Sequence, residues 1–255
     1  NGINRPAIAI LWPSTNIRGF NILLDAGADI KADAQDLCQY ALMGVSYAKS
    51  GFNIKKPRVG ILNVGTEEHK GSSELLKAAE IIDNLSSVLG FEFIGYVEGD
   101  DIPSSKIDVI ITDGFTGNIA LKTGEGTATL VRTLFKETFT NSLIAKIASL
   151  IAFKALKNLR KRIDPRRLNG GVFLGLNGTI VKSHGGADAI GISAAITLAS
   201  QLTKNNFQKN LENKVLQINN LQNLWFKFIL IIFKYIYYIN INIYIDTVLF
   251  FKISF

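Results

Sequence analysis

One cysteine, Cys38, stands in 255 residues, which excludes an intrachain disulfide and suits a reducing compartment. It falls among apolar residues at helix spacing and reads as core rather than nucleophile. No basic start followed by a short apolar run opens the chain, so nothing reads as a secretory signal. No ligand set for a divalent metal is evident, and neither glycine-rich segment has dinucleotide or nucleotide-loop spacing. No metal, nucleotide or redox cofactor is therefore expected, nor a nucleic-acid partner. Two absences concern the ends. The chain opens at Asn1 and runs at once into the apolar strand-like Pro6–Pro13, so a preceding segment is expected. Residues 206–255 contain no Gly, Ala, Pro or Arg and are dominated by Asn, Lys, Ile, Phe, Leu and Tyr. Those are residues of A/T-rich codons. The 205–255 tail is read as translation beyond a frameshift or lost stop rather than a membrane anchor. Phe226–Ile245 is long enough to span a bilayer, but Lys227, Lys234, Asn240 and Asn242 interrupt it.

What remains, residues 1–204, alternates between two periodicities. Pro6–Trp12, Phe20–Asp25, Arg58–Val64, Phe91–Val97 and Ile107–Thr112 are apolar strand runs, with two further strands inside Val172–Lys182. Between them Asp33–Lys49, Ser72–Leu89, Gly117–Phe139, Ser142–Arg162 and Ala187–Leu202 carry helix spacing. Buried strands alternating with helices predict a three-layer α/β/α sandwich around a largely parallel sheet. Ligands of such sheets sit beyond the carboxyl ends of the strands. The loops Asp25–Asp29, Asn63–Gly71, Asp113–Asn118 and Lys182–Asp188 are expected to converge there on one crevice.

Two of these loops have the chemistry of anion sites. Asp113-Gly114-Phe115-Thr116-Gly117-Asn118 and Lys182-Ser183-His184-Gly185-Gly186-Ala187-Asp188 each link a strand run to a helix through glycines. Glycine lets backbone N–H groups approach a ligand, and a helix start favours negative charge. In the second loop Lys182 and His184 can supply cationic donors, Ser183 a hydroxyl, and the Gly185, Gly186 and Ala187 amides a cradle. Asp188 either orients His184 or Lys182, or compensates the helix dipole. In the first, Asn118 and Lys122 lie four apart on one helix face. Lys122 has an alternative partner in Glu125, and Asp113 an alternative role as the cap of the turn before Gly114. With Gly117 these residues could bind and desolvate phosphate and stabilise a tetrahedral oxyanion. Glu67 and Glu68 could hold a base or a lysine, or be merely solvated; His69 reads as surface.

Gly2–Leu202 resembles the bacterial phosphate acyltransferase family of phospholipid synthesis. The resemblance is carried by Arg5-Pro6-Ala7-Ile8-Ala9, Leu24-Asp25-Ala26-Gly27-Ala28, Pro57–Glu68, Val97–Ile102, Asp113–Lys122, Asp164-Pro165-Arg166-Arg167 and Leu174–Asp188. It implies formation of acyl phosphate from an acyl-carrier-protein thioester and inorganic phosphate. It also implies a cytoplasmic homodimer loosely held at the membrane, near a membrane acyltransferase. The spacing of Gly117-Asn118 to Lys122, and of Ser183 to Asp188, is similar to the phosphate acetyltransferase pattern. Two motifs of the family, Asp-Ala-Met-Gly-Gly-Asp and Ser-Ala-Gly-Asn-Thr-Gly, do not occur here. Asp29 stands where the family commonly has Asn, adding negative charge beside the proposed anion site. Competing expectations are an isopropylmalate-type dehydrogenase of shared architecture, and an inactive remnant keeping dimer and membrane contacts.

The net charge of +7 is unevenly spread, with Lys154, Lys157, Arg160, Lys161, Arg162, Arg166 and Arg167 close together. Leu143, Ile144, Ile147, Leu150 and Ile151 precede that cluster at helix spacing. An apolar stripe beside basic residues can lie on an anionic membrane surface or meet an acidic carrier protein. An ordinary core or dimer helix is the alternative.

Overall fold

A computed structural model describes residues 3–67, 69–162, 170–183 and 186–216. Ile3–Glu212 form one compact unit. The proposed spanning run Phe226–Ile245 lies outside the described residues. Among the described residues no helix is long and apolar enough to cross a membrane.

Seven strands form one sheet: β1 (Ala7–Pro13), β2 (Phe20–Leu24), β3 (Arg58–Leu62), β4 (Glu92–Val97), β5 (Val109–Ile111), β6 (Gly171–Leu174) and β7 (Ile180–Lys182), in spatial order β4-β3-β5-β2-β1-β6-β7. The parallel character is confined to β4, β3, β5 and β2; β1, β6 and β7 are joined to it and to one another by antiparallel pairings. The sheet is thus mixed rather than largely parallel. Short links explain the difference. β1 reaches β2, and β6 reaches β7, without a helix between, and such links can join only antiparallel neighbours. β1 bridges the two halves, pairing with β6 through Ala7–Ala9 and with β2 through Ile10–Pro13.

The helices α1 (Ala34–Phe52), α2 (Ser73–Leu89), α3 (Gly114–Thr140), α4 (Leu143–Ile151), α5 (Phe153–Arg162) and α6 (Ala189–Lys204) begin where the sequence supplies caps. Asp33 and Asp36 form a reciprocal capping box on α1, and Ser72, Asp113, Ser142 and Asp188 cap α2, α3, α4 and α6. α3 starts three residues before the apolar period suggests because Asp113 caps it at Thr116. The stretch 142–162 is two helices, broken at Ala152, instead of one. The apolar repeat runs through the break and does not register it.

Two helical layers cover the sheet. α1 packs on the face bearing Leu24, Val109 and Ile111, so closely that a Cβ on Gly44 would stand 2.6 Å from Val109 Cγ1. α2 and α6 join it there, through Lys49 Nζ to Leu89 O at 2.7 Å and the contact of Leu202 with Gly51. On the other face Leu23, Leu62, Val97, Ile102, Ile107 and Ile110 form a core that Trp12 and Ala120 of α3 complete. Each fully buried aliphatic side chain contributes about 1.5–3 kcal/mol. At the amino ends of the parallel strands a satisfied polar network closes the core. Asp108 accepts from Arg58 N and Nε on Oδ2 at 2.9 and 3.0 Å, and from Asn16 Nδ2 on Oδ1 at 2.8 Å.

Candidate functional site

The carboxyl ends of β2, β3 and β5 lie at one edge of the sheet, and the loops Asp25–Asp29 and Asn63–Gly71 and the Asp113 turn leave from it. Lys182, the last residue of β7, stands across the sheet from these loops. Lys182 pairs with Gly171, Gly171 lies beside Ile10, and Ile10 pairs with Leu23. β7 runs opposite to β2, and its last residue, Lys182, stands level with Leu23 near the carboxyl end of β2. Three strand spacings separate β7 from β2, roughly 14 Å at the usual interstrand distance. His184 and Gly185, the centre of the fourth loop, lie outside the described residues.

The first turn is built tightly on the Asp25 loop. Asp25 is fully buried, and its carboxylate accepts five N–H contacts from four amides. Oδ1 takes Ile8 N at 2.8 Å, Gly27 N at 3.1 Å and Ala28 N at 3.0 Å; Oδ2 takes Ala28 N at 3.0 Å and Asp29 N at 2.8 Å. The first turn of α3 sits against the carbonyls of this loop. A Cβ on Gly114 would stand 1.9 Å from Asp29 O, and one on Gly117 1.9 Å from Asp25 O. These glycines are there so that backbone can meet backbone within the protein. Gly117 N donates inside the helix, to Asp113 O at 2.9 Å.

Asn118 is half-buried beside that seat, and its Nδ2 donates to Ala26 O at 3.2 Å. Asp113 serves as the cap, accepting from Thr116 N at 2.8 Å and Thr116 Oγ1 at 2.7 Å. Lys122 is exposed and pairs with Glu125 at 2.8 Å, its alternative assignment.

Carboxylates crowd this edge, yet each is engaged nearby. Asp29 is ion-paired with Arg5, which also approaches Asp36, and that guanidinium holds the Asp29 carboxyl below its ordinary range. The negative charge expected from Asp29 is therefore offset locally. Glu67 pairs with Lys70 at 2.6 Å; Glu74 accepts from Ala34 N at 3.1 Å. Burial pushes the Tyr40 phenol up, and Asp25, Asp36 and Asp29 push it further, so Tyr40 is no general base at neutral pH. Burial likewise raises the Cys38 thiol to about 12, in keeping with a core role.

In the second loop Lys182 is exposed and Ser183 half-buried, while Asp188 caps α6 by accepting Gly191 N at 3.1 Å. Gly186 is exposed and Ala187 half-buried. His184, Gly185, Glu68, Arg166 and Arg167 lie outside the described residues, as do the side chains of Arg160 and Arg162. On α4, Leu143, Ile144, Leu150 and Ile151 are all more than 70% exposed and Ile147 is half exposed. No described partner covers that face of α4.

Sequence reasoning passed over Asp25 and Arg5 as site-building residues. The available signal was Leu24-Asp25-Ala26-Gly27: an Asp at a strand end with Gly two residues on commonly folds its carboxylate onto its own loop.

A family model described as fatty acid synthesis protein matches residues 1–210. A phosphate acyltransferase of Jannaschia sp. (strain CCS1) is 61% identical over 216 residues, which are 85% of this chain and 59% of that protein. One of Paracoccus denitrificans (strain Pd 1222) is 63% identical over 216 residues, 85% of this chain and 58% of its own. The chain thus spans less than two thirds of the length of the relatives it matches. Among solved structures, EutD phosphotransacetylase from Staphylococcus aureus aligns with a TM-score of 0.49 at 17% identity, over 79% of this chain and 56% of that one.

Proposed function

The chain belongs to the fatty acid synthesis protein family, and from that premise we propose that it is the core of a phosphate acyltransferase. The reaction would be transfer of an acyl group from acyl carrier protein to inorganic phosphate. The observation that carries the reading is identity near 60% to phosphate acyltransferases across both candidate turns. A phosphate oxygen attacks the thioester carbonyl carbon, a tetrahedral oxyanion forms, and the C–S bond breaks. The carrier thiolate leaves with a proton given up by phosphate, and acyl phosphate is the product. No electron or metal is needed to balance that step. Lys182, His184 and Ser183 are assigned to phosphate and oxyanion, with Gly185, Gly186 and Ala187 as the cradle. Asn118 would present its carboxamide from the other turn, and Asp113 and Asp188 would hold the two helix starts in place.

The uncovered apolar face of α4, followed by the basic α5, supports attachment to an anionic membrane surface or contact with a second copy or a membrane acyltransferase. A cytoplasmic homodimer resting on the membrane is the cellular setting that fits. The test of function is an assay for acyl phosphate from acyl carrier protein and phosphate in the 61%-identical relative, with substitutions at the counterparts of Lys182 and Asn118. Lys182→Ala should lose about 1.5–3 kcal/mol of phosphate affinity or transition-state stabilisation, the usual worth of a charge-assisted hydrogen bond. Unchanged phosphate kinetics in that variant would remove Lys182 from the site.

A further inference from the structure

We propose that Asp25 is the positioning residue of the Asn118 turn: its buried carboxylate shapes the loop against which the first turn of α3, and so Asn118, is set. This rests on the reading of that turn as part of the phosphate site. Asp25 faces no described cation. It instead draws in four amides, Ile8, Gly27, Ala28 and Asp29, from both sides of its own loop. The loop folded around that anion exposes three carbonyls, and all three meet α3. Ala26 O receives Asn118 Nδ2 at 3.2 Å, while Asp25 O and Asp29 O fill the space where Gly117 and Gly114 would carry side chains. Ile8 N adds β1 to the same carboxylate, so a single charge fixes β1, the end of β2 and the start of α3 together. A purely structural acid could be satisfied anywhere in the core. This one is spent on the loop that seats the polar side chain proposed to meet phosphate.

Asp25→Asn keeps the size but turns one acceptor into a donor, leaving the Ala28 and Asp29 amides facing an N–H group. The experiment uses the full 255-residue chain, the Asn118 side-chain amide signals in an NMR spectrum, and titration with inorganic phosphate. The Asn118 signals of Asp25→Asn should move and broaden, and phosphate binding should weaken tenfold or more. Gly27→Ala is the second variant, useful if Asp25→Asn does not fold. Gly27 lies at φ +118°, where alanine is strained, and its new Cβ would stand 2.9 Å from Asn118 Nδ2 while the Asp25 side chain itself is kept. It should displace the same signals and weaken phosphate to a similar degree. If Asn118 and the phosphate response stay as in the wild type while only stability falls, Asp25 is structural and the proposal is overturned. If the wild type shows no phosphate response at residues 113–118 yet Asp25→Asn still shifts Asn118, the positioning role stands and the phosphate assignment of the turn is what fails.

Discussion

Two glycines on one helix should respond to alanine with opposite signs. In α3, Gly→Ala ordinarily stabilises, because glycine costs about 1 kcal/mol relative to alanine in a helix. Gly126 has nothing within 4 Å of its would-be Cβ, so Gly126→Ala should realise most of that gain. At Gly117 the new Cβ would meet Asp25 O at 1.9 Å and Thr112 Cγ2 at 3.0 Å. Ordinary contact begins near 3.4 Å, so helix or loop must shift by 1.5 Å, the difference between 3.4 and 1.9 Å. The obstacle is backbone pinned by four amides on Asp25, which cannot swing aside as a side-chain tip would. Overpacking of this kind costs about 1–3 kcal/mol and commonly exceeds the propensity gain when backbone must move. Urea denaturation of both variants supplies the comparison. Gly126→Ala should raise the midpoint and Gly117→Ala should lower it by the equivalent of about 1–2 kcal/mol. Two stabilised proteins would refute the claim that the glycines of this turn exist for contact with the Asp25 loop.

Asp108 predicts acid sensitivity. Burial opposes its charge, but hydrogen bonds from the Arg58 side chain and backbone and from Asn16 hold its carboxyl below the ordinary 3.8. A depressed folded pKa gives stability that is full above the unfolded value and is lost as pH falls through the folded one. Asp108→Asn should therefore flatten the acid limb of a stability–pH profile measured below about pH 5. Asp108→Ala, which leaves the Arg58 guanidinium without its carboxylate, should cost up to about 3–5 kcal/mol before discounting for the partly exposed Arg58 and for its remaining bond to Ser105 O. On α4, Ile147→Asp with Ile151→Asp should release the protein from anionic vesicles in flotation while leaving carrier-protein affinity intact; retention on vesicles would assign this face to a protein contact instead.

The architecture was legible wherever one local cue decided it. Asp33, Ser72, Asp113 and Ser142 announce helix starts by their own chemistry, and the runs that became β2 and β3 show burial directly in Ile22–Leu24 and Val59–Leu62. Strand direction was not legible to the same degree. The interval between β6 and β7 is short enough for a hairpin, and that reversal makes this part of the sheet antiparallel. Gly114 and Gly117 were visible as special positions, but glycine beside a ligand and glycine beside a neighbouring carbonyl leave the same mark in a sequence. The separation comes from Asp25, whose role depends on amides at positions 8 and 27–29 being gathered by folding. The pairing of Asp29 with Arg5 is likewise invisible in one dimension, since the two stand 24 positions apart with a hairpin between them.

The proposed acyl-phosphate-forming site joins the Asn118 and Lys182 turns. Its most direct test is to assay this chain for acyl phosphate made from acyl carrier protein and radiolabelled phosphate, alone and with the amino-terminal segment of a longer relative added as a separate polypeptide. The account predicts product with the added segment, its loss in either Asn118→Ala or Lys182→Ala, and little without the segment. Full activity of the chain alone, or product formed with the segment and indifferent to both substitutions, would contradict it.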